Sequence, residues 1–289
     1  MTRTTVSDGG TRNAMLEEAP LFSPPKEKFF SVRGSVSGRQ GFILGLLGLV
    51  SLFTIWQIGH WLTPELQRKF LPGVDEVVGK IIYLLLNKGF LGDIAVSLYR
   101  IYLSFLVACA VAIPLGLLMG CFVKVRALVN PTVGGLRYLP AASFVPLLLV
   151  YLGPTDTAKM ALLFLGCVFF LIALILDNVL AVPKEFVESA QTMGASRTHI
   201  VLKVALRSAA PQILDSMRNM IAVSWTYLVI AEIVAATDGI GAVMMRGAKF
   251  LHIDIIMAGI LTIGVLGVLT DMLFRFASRL LFPYVYARK

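Results

Sequence analysis

The sequence predicts an all-α integral membrane protein with six transmembrane helices, and three observations support this fold class. Apolar residues make up 57% of the 289 residues and charged residues only 15%, against roughly 25% charged in soluble proteins. The mean hydropathy is +0.81. The apolar residues also fall in runs close to the roughly 20 residues that a helix needs to cross the hydrocarbon core. This composition excludes a soluble enzyme, a disordered hub and a disulfide-stapled secreted module.

Six apolar runs qualify as spans. The first two runs carry no formal charge, and the third, fourth and sixth are shorter runs that lengthen when the charges at their ends reach the interface. The fifth run contains Asp215, Arg218 and Glu232 but is otherwise equally apolar. The predicted spans are 41–63, 93–121, 131–153, 157–179, 209–236 and 254–276.

The distribution of basic residues predicts that both termini lie in the cytoplasm. With that orientation the inner segments hold about twice as many Lys and Arg residues as the outer ones. Residues 1–38 lack apolar periodicity and predict a mobile cytoplasmic tail, 39–280 form the transmembrane domain, and 281–289 form a short C-terminal tail. The first apolar run begins too far from Met1 for a secretory signal. The net charge of +9 is explained by inner basic loops, so we expect a lipid bilayer and no nucleic acid as partner.

Residues 74–88, between the first two spans, predict an amphipathic helix on the outer surface. Val77, Ile81 and Leu85 recur at helical spacing, with Asp75 and Lys80 on the opposite side. Such a helix either packs on the spans or offers a binding surface to a partner.

The inner segment 183–207, between spans four and five, is too polar to cross a membrane. Pro183 stands where a helix can begin, acidic residues follow in its first turns, and Gly194 suits a left-handed turn at its end. Ser196 can cap a second helix. The segment therefore predicts a helix, a glycine turn and a second helix projecting into the cytoplasm.

This segment resembles the EAA loop of binding-protein-dependent ABC importer permeases, whose pattern is E-A-A-x3-G-x9-I-x-L-P. Ser189 and Val204 are conservative changes from that pattern, and Arg207 stands where the family usually has Pro. The residues that the resemblance assigns to coupling with an ATPase are Glu188, Ser189, Ala190, Gly194, Ala195, Ser196, Val204 and Leu206.

The resemblance extends over most of residues 70–280, to the nitrate, sulfonate, taurine and bicarbonate type of permease. The further stretches that match are Ser97-Leu98-Tyr99-Arg100, Pro114-Leu115-Gly116, Asn130-Pro131, Pro146-Leu147, Ala231-Glu232, Gly239-Ile240-Gly241 and Ile263-Gly264-Val265-Leu266-Gly267.

The resemblance implies a type I importer-like permease fold in the bacterial cytoplasmic membrane. It further implies a chain that pairs with a second copy of itself or with a related permease, docks on two cytoplasmic ABC ATPase subunits and receives a small anion from an extracytoplasmic solute-binding protein. The chain has no G-x-x-x-x-G-K-[ST] sequence, so we expect it to be non-catalytic and to bind no cofactor, with ATP and Mg²⁺ on the partner subunits.

Two groups of residues are candidates for the translocation path. Arg218, Trp225 and Glu232 lie seven residues apart and so share one face of span five. Because ionisable groups avoid lipid, this face either lines the path or lies near water at the two membrane boundaries. In span three, two prolines predict a kink, at which Arg137, Ser143 and Phe144 either gate the path or only pack.

The alternative function is a secondary transporter driven by an ion gradient. Asp177, Glu232 and Asp254 would then be the candidate ion or proton sites. The EAA-type loop distinguishes the two hypotheses, because it has no use without an ATPase. The three His and three Cys residues show no metal-ligand spacing, so no metal site is expected.

Overall fold

The computed structural model describes residues 36–234 and 237–286, and every regular element within these residues is helical. Within these residues, five helices are long and apolar enough to cross a membrane, and the number rises to six if a bent pair of shorter helices counts as one span. The predicted all-α membrane fold is therefore confirmed. Most of the predicted N-terminal tail, residues 1–35, and residues 287–289 of the C-terminal tail lie outside the described residues.

The elements follow one another with short connections. The helices are α1 Gly38–Leu62, α2 Val74–Asn87, α3 Phe90–Cys121, α4 Val123–Leu136, α5 Val145–Leu152, α6 Asp156–Leu180, α7 Lys184–Thr192, α8 Arg197–His199, α9 Leu206–Val234, α10 Ile240–Lys249, α11 Ile253–Leu281 and α12 Pro283–Tyr286. Two 3₁₀ turns, Glu65–Phe70 and Ala141–Phe144, and one π-helical stretch, Ile200–Ala205, complete them.

The described residues divide into two units, one that ends at residue 55 and one that begins at residue 56. The described part of the first unit exposes large apolar side chains such as Phe42 and Leu52. An apolar helical surface of this kind is suited to lipid.

The core of the second unit is built mainly where α3 packs on α6. Gly116 faces Ile175, and a Cβ at this glycine would lie 2.6 Å from the Ile175 Cγ2 atom. Gly120, one turn later, is equally close to Val179. The two glycines therefore allow the backbones of α3 and α6 to approach closely.

The outer amphipathic helix α2 packs on the rest of the second unit. Val77 and Leu84 are buried with Met244 of α10 and Ala258 of α11. Of the two roles that the sequence leaves open for this helix, the structure thus shows packing. Hereafter the end of the second unit that holds α2 and α10 is called the outer end and the end that holds α7 the inner end, following the predicted orientation.

The third span, expected over 131–153 with a kink at its prolines, begins earlier, at Val123, and is broken at the kink. Val123–Leu136 and Ala141–Leu152 are bent by 82° across a short break. Pro140 explains the break, because proline has no N–H to donate and disfavours a helical conformation in the residue before it.

The coupling loop and span five also differ from the expectation of two separate elements. Arg197–Val234 is continuous helix, with the π-helical stretch Ile200–Ala205 in it and Pro211 inside α9. The second helix of the loop is therefore the beginning of the fifth span.

Helix α10, Ile240–Lys249, was not expected from the sequence. With ten residues it is too short to cross a membrane, and the Gly-Ile-Gly sequence at its start is typical of a loop. It packs against α11 and buries Ile240, Val243 and Met244.

Candidate functional site

The first candidate site is the coupling loop, residues 183–207, at the inner end. Helix α7 ends in a Schellman motif, in which the Ala195 N–H donates to the Ala190 carbonyl at 2.9 Å and the Gly194 N–H to the Gln191 carbonyl at 2.9 Å. Gly194 has φ +76°, which glycine adopts without strain. Ser196 then caps the following helix by accepting a bond from the His199 N–H at 3.3 Å.

The two faces of α7 differ in chemistry. Ala190 is buried and Val187 half-buried against the helix that follows. Glu188 and Ser189 are exposed on the other side. The loop therefore presents a firmly held helix whose free face carries acidic and hydroxyl groups.

Two large apolar side chains of this loop are only partly covered by the described residues. Phe186 is 53% exposed and Met193 is 81% exposed. Both project from a segment that is too polar to lie among lipid tails, and exposed apolar groups ringed by polar residues are typical of protein contact surfaces.

A cavity of about 610 Å³ lies between the coupling loop and the inner ends of the spans. The junction of α3 and α4 forms one wall, with Cys121 and Arg126, and Val179 of α6 forms another. Glu188 and Arg197 line the cavity from the coupling loop. The loop thus stands away from the spans on this side, which leaves room for it to move.

The remaining predicted coupling residues lie in the helix that follows the loop. Val204 and Leu206 are half-buried, and Ala195 is half-buried at the turn. These three residues support the loop, and the more exposed residues are in α7.

The second candidate site is a cluster of charged groups at the outer end, here called the outer ion cluster. It contains three buried residues, Arg100, Lys159 and Glu232, and two half-exposed ones, Asp156 and Asp238. The Arg100 side chain is 0% exposed and its guanidinium contacts three carboxylates. Its Nη1 donates to Glu232 Oε1 at 3.0 Å, and its Nη2 donates to Asp156 and to Asp238 at 2.5 Å each. The cluster therefore joins α3, α6, α9 and the turn before α10.

Glu232 is also 0% exposed, and both of its carboxylate oxygens accept hydrogen bonds. Oε1 accepts bonds from Arg100 and from the Ser97 hydroxyl at 2.7 Å, and Oε2 accepts the Gly241 N–H at 2.8 Å. A fully buried carboxylate is stable only when it is paired and hydrogen-bonded in this way.

Lys159 and Asp238 complete the cluster on its more exposed side. The Lys159 ammonium lies 3.2 Å from the Asp238 carboxylate and donates to Thr237 Oγ1 at 2.9 Å. Hydrogen bonds from Arg100, and further ones from Thr237 and Lys159, hold the pKa of Asp238 well below the ordinary carboxyl range. Asp238 is thus ionised at any physiological pH.

Sequence reasoning missed this cluster. Arg100 and Lys159 lie near the ends of the second and fourth predicted spans, and the structure buries both inside helices next to carboxylates that the sequence does not pair with them. The available signal was the placement of single charged residues at the ends of otherwise apolar helices, but the sequence does not show which of them pair.

The candidate path residues of span five do not share one environment. Trp225 and Glu232 are buried inside the second unit, Trp225 among Ile101 and Leu228. In this structure these two side chains therefore face protein instead of an open path.

Arg218, the third of these residues, lies in an ion-pair network near the inner half of α9 and α11. Its Nε lies 2.6 Å from Asp271 Oδ1, although this N–H makes no hydrogen bond to a described residue. Asp215 lies 3.5 Å from Nη1 of Arg218, and Arg275 lies 2.6 Å from Asp271. Arg218 thus joins two spans and is only partly exposed.

The candidate path residues of span three lie at its break. Arg137 is half-buried and stacks over Tyr138, with 5.2 Å between the guanidinium carbon and the ring centre. Ser143 is exposed and Phe144 half-buried in the 3₁₀ turn. Their assignment to a path stays a prediction.

Among residues 36–234 and 237–286, no group of three or more His, Cys, Asp or Glu side chains is placed to hold a metal ion. Cys109, Cys121 and Cys167 are free thiols.

Comparisons with known proteins agree with this architecture. The chain is 32% identical to the taurine transport system permease protein TauC of Escherichia coli over 245 residues, which cover 82% of this chain and 87% of TauC. It is 27% identical to the putative aliphatic sulfonates transport permease protein SsuC of Bacillus subtilis over 93% of this chain and 98% of SsuC. It is 26% identical to the bicarbonate transport system permease protein CmpB of Synechococcus elongatus over 80% of this chain and 86% of CmpB.

The fold also matches a solved structure. A chain of the MetNI methionine ABC transporter, in an inward-facing conformation, aligns with a TM-score of 0.60 and 18% identity over 66% of this chain and 94% of that chain. Residues 112–283 match the family described as binding-protein-dependent transport system inner membrane component. The chain belongs to this family and is an ABC importer permease.

Proposed function

We propose that this chain forms the translocation path of an ATP-driven importer for a small organic or inorganic anion. The names of the similar permeases, which transport taurine, aliphatic sulfonates and bicarbonate, support this solute class. Two cytoplasmic ATPase subunits supply the energy and hold ATP and Mg²⁺, and an extracytoplasmic solute-binding protein delivers the anion. The permease works as a pair, with both termini in the cytoplasm of a bacterium.

The structure of the coupling loop is the main observation that supports this proposal. Helix α7 is held by the Schellman motif and by the capped helix after it, yet it exposes Glu188, and the apolar side chains of Phe186 and Met193 in the same loop are 53% and 81% exposed. A firmly held helix with exposed acidic and apolar side chains fits a cleft on a soluble partner. Because the loop continues into the fifth span, a displacement of α7 by that partner moves a transmembrane helix directly.

The alternative, a secondary transporter, lacks a comparable supporting observation. Two of its three candidate acids are already paired, Glu232 with Arg100 and Asp254 with Lys80 at 2.7 Å. Asp177 is exposed. The importer is therefore the function that we advance.

The test is solute uptake into proteoliposomes that contain this chain with the ATPase and solute-binding protein of the same transport system. We expect uptake of taurine, an alkanesulfonate or bicarbonate, and this uptake should require ATP on the side of the membrane where the ATPase subunits are bound. Glu188→Ala and Gly194→Asp are expected to lower uptake and solute-stimulated ATP hydrolysis together, since the first removes a contact group and the second strains the left-handed turn.

Lys124→Gln is the control variant, because Lys124 is exposed at the inner end of α4 and outside the coupling loop. Its uptake should match that of the unsubstituted chain. Accumulation of solute by the chain alone on an ion gradient, with no ATPase bound, would refute the importer and support the alternative.

A further inference from the structure

One helix links the two candidate sites. Arg197–Val234 begins at the coupling loop and ends two residues after Glu232 of the outer ion cluster. At a rise of about 1.5 Å per residue its 38 residues span roughly 55 Å, enough to join the two sides of a bilayer. The helix is therefore able to transmit a displacement from its inner end to its outer end.

The turn before α10 is fitted around the Glu232 side chain. Gly239 has φ +96°, and a Cβ on it would collide with the Glu232 carboxylate. A Cβ on Gly241 would lie 2.7 Å from Glu232 Cβ, and the Gly241 N–H donates to Glu232 Oε2 at 2.8 Å. The start of α10 is thus in direct contact with the end of the long helix.

Helix α3 holds the same turn from the other side. The Ile240 N–H donates to Ser97 Oγ at 3.0 Å and the Gly239 N–H to Asp93 Oδ1 at 2.8 Å. Arg100 donates to the Asp238 carbonyl at 3.1 Å and also pairs with Glu232. The N–H groups of Gly239, Ile240 and Gly241 are therefore satisfied by side chains of α3 and α9, and the turn cannot move away from Glu232 without losing several hydrogen bonds at once.

We propose that Glu232 and Arg100 are positioning residues for transport, which fix α10 to the outer end of the helix that begins in the coupling loop. A displacement of the coupling loop at the inner end then moves α10 at the outer end. Helix α10 carries Arg246 and Lys249 on its exposed side, so the outer surface changes when the loop moves. This inference rests on the proposed function, because the ATPases supply the displacement.

The experiment measures the accessibility of α10 through a cysteine that replaces Lys249, an exposed residue at the end of this helix. The assembled complex carrying Lys249→Cys is reacted with a membrane-impermeant maleimide, without nucleotide and after trapping with ATP and vanadate. The same complex without this cysteine corrects for the native thiols. We expect labelling rates in the two states to differ by about threefold or more, as for an element that changes its surroundings between two global states.

Glu232→Gln keeps an oxygen that can accept the Gly241 N–H but removes the charge that pairs with Arg100. This variant should still bind the ATPases, while the difference between the two labelling rates is lost. Lys80→Gln is the matched control, because it removes an outer ion pair between α2 and α11 that does not involve α9. The control should keep the difference in full.

Two results would overturn the inference while the proposed function stands: equal labelling rates in both states for an active complex, or an undiminished difference in Glu232→Gln. Should Glu232→Gln fail to assemble, Ser97→Ala decides, since it removes the hydroxyl that accepts the Ile240 N–H and donates to the Glu232 carboxylate. An undiminished difference in Ser97→Ala then overturns the inference. Failure of the unsubstituted chain to bind an ATPase would instead refute the proposed function.

Discussion

Replacing Arg100 by Met tests the energetics of the outer ion cluster. The substitution leaves the Glu232 carboxylate, which is 0% exposed, without its cation. Asp156 and Asp238 are about half exposed, so water compensates them and they add little. Removal of one partner from a buried ion pair costs about 3–5 kcal/mol of unfolding free energy. For a protein of this size that corresponds to a fall of roughly 10 °C in the thermal midpoint.

The assay is the thermal midpoint of the detergent-solubilised chain, followed by size-exclusion chromatography after heating. The double variant Arg100→Met with Glu232→Met removes both charges together, and its remaining cost is the loss of the bonds to Gly241 and Ser97, about 1–3 kcal/mol. Its midpoint should therefore lie above that of Arg100→Met. The reasoning is refuted if Arg100→Met alone lowers the midpoint by less than about 2 °C, or if the double variant falls by the sum of the two single variants.

Three further predictions follow from the structure. Gly120→Val should lower the thermal midpoint by the equivalent of about 1–3 kcal/mol, because the new side chain collides with Val179 where α3 meets α6; an unchanged midpoint would contradict the close packing. Asp238→Asn should make the thermal midpoint less sensitive to acid. Because its pKa is lowered in the folded chain, Asp238 stabilises the fold above the ordinary carboxyl pKa of about 4, and this stabilisation is lost as the pH falls below that value. The thermal midpoint of the variant should therefore fall less between pH 7 and pH 3 than that of the unsubstituted chain. Ser196→Ala should speed hydrogen exchange of the amides at the start of the following helix, since loss of an N-cap costs about 1 kcal/mol; equal exchange rates would show that the cap contributes nothing.

The sequence predicted most of the fold because membrane helices are long, uncharged and easy to delimit. The coupling loop was predictable for a different reason: Pro183, Gly194 and Ser196 act through local backbone chemistry, which the structure reproduces as a helix, a left-handed turn and a cap. Neither prediction needed information on distant contacts.

What the sequence could not predict depends on long-range pairing. Arg100 and Glu232 are 132 residues apart, and nothing local distinguishes a buried arginine from one that reaches the interface. The continuity of Arg197–Val234 was missed as well, because polar residues and Pro211 near its start favour a break. The burial of Trp225 follows from packing against α3, which a face calculated from helical spacing does not show.

Contact between the coupling loop and an ATPase is central to the proposed function, and photo-crosslinking from Met193 tests this contact most directly. Met193 is 81% exposed on the coupling loop, and Leu66, 89% exposed in the segment assigned to the outer side, is the matched control. A benzophenone amino acid is placed at either position in the chain co-expressed with its ATPase. The account predicts an adduct with the ATPase from position 193 and none from position 66. Absence of an adduct from position 193, or equal adducts from both positions, would contradict it.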